Sequence, residues 1–138
     1  MIKAIRHKLI NDPAVTAIIG DAVFDLVVPQ DQPLPAVIYQ ATGGSDDLTQ
    51  DGPDGFYLQQ LRLTCLADGR QAVEQLTDKV IHAINGKRWT AEGEQVHLAT
   101  VESIDDLPYQ NQPGRDHRVR GKQLTVRVAW STPAPGNP

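Results

Sequence analysis

The chain has 138 residues, 40% of them hydrophobic and 22% charged, with a formal charge of −4 at neutral pH. That is the size and composition of one ordinary globular domain able to bury a core, and the acidic balance gives no support for non-specific binding to nucleic acid or membrane. The one cysteine, Cys65, rules out an intramolecular disulfide.

The opening stretch MIKAIRHKL lacks the uninterrupted apolar run of a signal peptide. No segment approaches the ~20 apolar residues of a membrane span. The sequence therefore predicts a protein made and kept in the cytoplasm, or in a particle assembled there. Ile2, Ile5, Leu9 and Ile10 form the inner stripe of a short helix, with Lys3, Arg6 and Lys8 outside. Asp12-Pro13 reads as an N-cap followed by proline at the first helical position, opening a second short helical turn that ends at Gly20. Val23 to Val28 is β-branched and apolar enough for a strand. Pro29, Pro33 and Pro35 make the next stretch a stiff connection that cannot pair as a central strand. Ala36 to Thr42 is a second strand, with Val37, Tyr39 and Ala41 on one face.

Gly43 to Gly55 carries four aspartates, four glycines and one proline, with Leu48 as its apolar anchor. A loop of this length between strands is uncommon in a compact domain and usually has a task or is disordered. It reads as a long, mobile hairpin arm. The strand that follows, within Tyr57 to Leu66, alternates Leu61, Leu63 and Cys65 with Gln60, Arg62 and Thr64. The pattern then turns helical. Asp68 and Gln71 have the spacing of a capping box, and Ala72, Val73, Leu76, Val80 and Ile84 make an inward stripe. Gly86 supplies the left-handed stop, and Lys87 and Arg88 fall where the helix dipole favours cations.

Arg88 to Thr90 is a short strand, and Gln95 to Leu107 is a longer one whose imperfect alternation suggests a bulge or an edge. Asp105 to Gly114 is polar and broken by prolines, a second long connection. In the last strand, His117 to Trp130, Leu124, Val126, Val128 and Trp130 share one face. Residues 1–131 thus form a single α+β domain, and 132–138 a tail that is disordered by composition. The expected architecture is an antiparallel sheet of about four to five strands, with one long and one or two short helices packed on one face.

Catalytic chemistry finds little purchase. No two of His7, His82, His97 and His117 have metal-ligand spacing on one element, and His82 reads as a helix-surface residue. No nucleophile elbow, phosphate loop or dinucleotide fingerprint occurs. Cys65, on the apolar face of its strand, reads as a small core residue. Asp46, Asp47, Asp51 and Asp54 could offer oxygens to calcium, but the order of an EF-hand loop is absent, and a solvated, turn-rich arm explains them. Arg115, Arg118, Arg120 and Lys122 form a basic cluster, the last three on one face of a strand. They serve either as a charged, aggregation-resistant strand edge or as a contact for an acidic surface or phosphate. An acidic arm and a basic strand in one small chain also suggest complementary surfaces on neighbouring copies.

Several stretches, in order, resemble the tail-completion family of tailed bacteriophages, small proteins that close the tail tube and join it to the head. These are the opening helix with DPAVTAIIG (Asp12 to Gly20), PQDQPLPAVIYQ (Pro29 to Gln40), LQQLRLTCLA (Leu58 to Ala67) leading into DGRQAVEQLTDKVIHAING (Asp68 to Gly86), and HRVRGKQLTVRV (His117 to Val128). The proline run and the strand–helix junction carry most of the likeness. The resemblance implies a structural, non-enzymatic virion protein without cofactor or metal, assembled in the bacterial host cytoplasm as a hexameric ring. Its implied partners are further copies of itself, the tail tube protein and a head-completion or connector protein. No membrane is implied and no specific nucleic-acid contact, although DNA passes through such a lumen. On that analogy Asp46, Asp47, Leu48, Asp51 and Asp54 belong to an arm reaching a neighbour or the tube, and Arg118, Arg120 and Lys122 to a contact surface. Another neck or minor tail protein, and a standalone ligand-binding or enzymatic α+β domain, are the competing readings.

Overall fold

The computed structural model describes residues 1–29, 31–42, 49–51, 56–107 and 119–132, with the backbone alone for 49–51 and 56. Among the described residues three helices and seven strands follow one another. They are α1 (Ile2–Ile10), α2 (Pro13–Ile19), β1 (Val23–Asp25), β2 (Ala36–Ala41), β3 (Thr49–Asp51), β4 (Phe56–Asp68), α3 (Arg70–Ile84), β5 (Lys87–Ala91), β6 (Glu94–Leu107) and β7 (Val119–Ser131). All strands join one sheet in the order β1-β2-β4-β7-β6-β5, with β3 pairing β4. The expected helices are present, but the sheet is larger than the four to five strands expected. It is also mixed, because β1 runs parallel to β2, with Val23 opposite Val37 and Asp25 opposite Tyr39. Side-chain alternation fixes faces and not direction, which is why the sequence could not distinguish parallel from antiparallel pairing here.

The centre of the molecule is the long ladder β4–β7, in register from Phe56↔Ser131 to Asp68↔Val119. One face of it carries Leu61, Leu63, Cys65, Leu124, Val126 and Val128, all fully buried. Against that face pack Ile5 and Leu9 of α1, Val15 and Ile19 of α2, and Val73, Leu76, Val80 and Ile84 of α3. The opposite face is polar, with Arg62, Arg127 and Thr100 exposed and Gln60, Thr64, Gln123 and Thr125 partly so. The alternation seen in the sequence thus corresponds to a sheet covered on one side.

Several local expectations are corrected. The strand expected over Val23 to Val28 stops at Asp25, because Leu26 turns into the left-handed region at φ +67; Leu26 and Val27 are then exposed. The capping box at Asp68 does not form. Asp68 is the last residue of β4, opposite Val119, and Gly69 occupies the N-cap without a side-chain bond. Lys87 and Arg88 lie in β5 and not at the helix end, whose basic residue is His82. β6 ends at Leu107 as its strand was read, so Asp105 and Asp106, also read as the start of the second connection, belong to the sheet. By contrast Asp12 caps α2 as read, its Oδ1 accepting from the amides of Ala14 at 3.0 Å and Val15 at 3.1 Å. The irregularity expected of β6 is also present, as register shifts at Val96/Leu98 and Val101/Ser103.

The N-terminus of helix α1 is capped by the β5–β6 hairpin and not by its own first residues. Met1 at its N-cap provides no side-chain bond. Glu94 does the work from a distance: Oε1 accepts from the Ala4 amide at 3.0 Å, and Oε2 lies 2.7 Å from the Met1 ammonium. Burial lowers the pKa of that ammonium, with Glu94 pulling the other way. Trp89 of β5 donates its indole N–H to the Ala4 carbonyl at 2.9 Å, and Lys8 sits 5.6 Å above the Trp89 ring.

Candidate interaction surfaces

Of the residues singled out in the sequence, Asp46, Asp47, Leu48, Asp54 and Arg118 lie outside the described residues, and Asp51 is described by its backbone alone, opposite Phe56. Arg120 and Lys122 are described. They stand four and two residues before Leu124, in step with Leu124 and Val126 on β7, so both face the helix side of the sheet and not its open polar face. Arg120 is exposed, opposite Ala67, and its Nη1 donates to the Val119 carbonyl at 3.2 Å. Lys122 is set deeper, opposite Cys65 and Asp106, with its Nζ 2.8 Å from Asp106 Oδ1. The lysine beside it holds the Asp106 carboxyl below the ordinary carboxylate range, by hydrogen bond first and charge second.

The ladder separates Asp51 from Arg120 and Lys122. Thr49 pairs Leu58 and Asp51 pairs Phe56 at the start of β4, whereas Arg120 pairs Ala67 near its other end. At about 3.3 Å per residue those positions are roughly 35 Å apart. Among the described residues, no group of three or more His, Cys, Asp or Glu side chains could share a metal ion. No helix among them is long and apolar enough to cross a membrane. His97, at the first irregularity of β6, has its Nε2 2.7 Å from the Ser131 hydroxyl of β7 and ties the ends of the two strands together.

Two surface grooves were not visible in the sequence. The larger, of about 390 Å³, lies between α3 and the far end of the β6–β7 pair, lined by Glu74, Asp78 and Ile81 of the helix with Ile104 and Lys122 of the strands. Ile104 is half exposed. Glu74 also meets Arg70 one turn earlier at 3.3 Å, an exposed pair of the weak kind. The smaller, of about 240 Å³, is lined by Lys3, Arg6, His7 and Ile10 of α1 and by Glu92. There His7 Nδ1 is 3.4 Å from Glu92 Oε1. Each groove joins residues far apart in sequence, which is why neither was legible there.

With this geometry in hand, comparison with known proteins is informative. Residues 3–131 match the family model described as tail completion protein gp17. No curated protein matches the chain in sequence. Among solved structures, a chain of the virion of a native gene transfer agent particle is similar in fold, with a TM-score of 0.69 at 14% identity over 92% of this chain and 91% of that one.

Proposed function

From its membership of the tail-completion family, which makes it a structural component of the tail or neck of a phage-type virion, we propose that this chain is the tail terminator. Copies of it form a hexameric ring on the end of the tail tube, stop tube growth and present a surface to the head connector. The observation that carries this reading is the family match over residues 3–131, nearly the full chain. The separation of the arm root from Arg120 and Lys122 supports it further. Asp51, opposite Phe56, and Arg120, opposite Ala67, lie at opposite ends of β4, and copies set side by side can bring two such ends together. The stretch 43–55 is accordingly assigned an inter-subunit or tube-facing role, and Arg118, Arg120 and Lys122 its contact.

The test is to assemble tails in a host making every virion protein except this one and to image them by electron microscopy. Tubes of uncontrolled length and unjoined heads are expected. Tails of normal length attached to heads would overturn the proposal.

A further inference from the structure

The two grooves carry matching patterns. On α1, Lys3, Arg6 or His7, and Ile10 follow one another at i, i+3 or i+4, and i+7, a single stripe with two basic-type positions followed by an apolar one. On α3, Glu74, Asp78 and Ile81 follow at i, i+4 and i+7, two acidic positions and then an apolar one, with the half-exposed Ile104 beside it. Both stripes span seven residues of helix, about 10 Å. Laid side by side in the same chain direction, Lys3 meets Glu74, Arg6 or His7 meets Asp78, and Ile10 covers Ile81 and Ile104.

One copy cannot make this contact with itself. The α1 stripe shares its groove with Glu92, just before the start of β6, while Ile104 stands ten residues beyond Glu94 on that strand. Along β6 the step from Glu94 to Ile104 is about 30 Å, with Glu92 of the α1 groove before its start and the α3 groove at Ile104. Two different, complementary patches at opposite ends of a subunit define a head-to-tail interface, which closes into a ring when the rotation between neighbours allows. The polarity agrees with the arm. The arm root and the α1 stripe share the end of the sheet where Phe56, Ser131 and Gln95 pair, and Lys122 shares the other end with the α3 groove.

We propose that the Lys3–Arg6–Ile10 face of α1 in one copy seats in the groove between α3 and β6 of a second copy of this chain, against Glu74, Asp78 and Ile104. This rests on the ring reading above and names the surfaces that build it. The test uses the full chain in sedimentation velocity across a range of concentration at low and high salt. Wild type is expected to associate, and to do so less at high salt. K3E/R6E and E74K/D78K should each weaken association at least about ten-fold, because like charges then face each other. The two variants mixed together, or the four substitutions combined in one chain, should recover it. Association unchanged in both double variants, or no recovery in the mixture, overturns this interface and leaves the tail-terminator reading standing. A wild type that stays monomeric at every concentration also overturns it, while the tail micrographs judge the terminator reading on their own.

Discussion

Cys65 faces α3 from the centre of β4, opposite Val37 and Lys122, with none of its surface exposed. Burial pushes its thiol from the ordinary 9.0 up to about 12, against a smaller lowering by Thr77. A thiol that holds its proton more tightly when folded costs nothing below pH 9. As the pH rises from 9 toward 12, the unfolded chain loses the proton first and stability falls by up to about 1.4 kcal/mol per pH unit. Urea unfolding at pH 8 and pH 10.5 should show a larger alkaline loss for wild type than for Cys65→Ala. Equal losses would remove the thiol as the cause. The same burial should leave Cys65 unreactive toward thiol reagents until the protein unfolds. This residue was legible in the sequence, because its place in a strict two-residue alternation fixes the face it occupies. The same alternation sets Lys122 on the face of Leu124, but it could not show that Asp106 would lie within reach.

Individual strands and helices were read with mixed success, and the failures share a physical origin. Amphipathic periodicity found α1, α3 and β7, because burial of one face dominates their energetics. The capping box failed because Asp68 is drawn into the ladder with β7, and the gain from extending that pairing outweighs a local side-chain cap. β1 was overestimated because its apolar residues continue past the point where the backbone turns at Leu26. Gly121 of β7 shows a constraint of the same kind from the other side. On the polar face of the sheet, a Cβ there would come within 3.0 Å of a Leu66 methyl and 3.1 Å of one on Leu107. Gly121→Val should therefore overpack that corner and lower stability by about 1–3 kcal/mol in denaturant titration. A variant as stable as wild type would mean that the corner is loosely packed.

Across the subunit as a unit, both grooves escaped the sequence reading because each is made by elements brought together only by folding: Glu74 and Ile104 are separated by a strand and two turns, Arg6 and Glu92 by most of the chain. What the sequence could give was the family likeness and the position of the long acidic insertion. Removing Asp46 to Asp54 and closing the gap with a short Gly-Ser turn deletes β3 and leaves the β4–β7 ladder, which holds the core. Melting temperature should change by no more than a few degrees, because the buried cluster of the described residues is built on the helices and the β4–β7 ladder. Closure of tail tubes should be lost. A shortened chain that still caps tubes would withdraw the arm from the assembly.

The two ends of the sheet bear on how crowded copies behave before they reach a tail. One margin is three residues long and swerves off at Leu26; the other is stepped between Lys87 and Trp89 and studded with the cations Lys87 and Arg88. Neither offers the flat, uncharged rim along which one sheet extends into the next. Along these two margins a neighbouring sheet finds no flat template to extend, and copies that meet there do so through shape and charge.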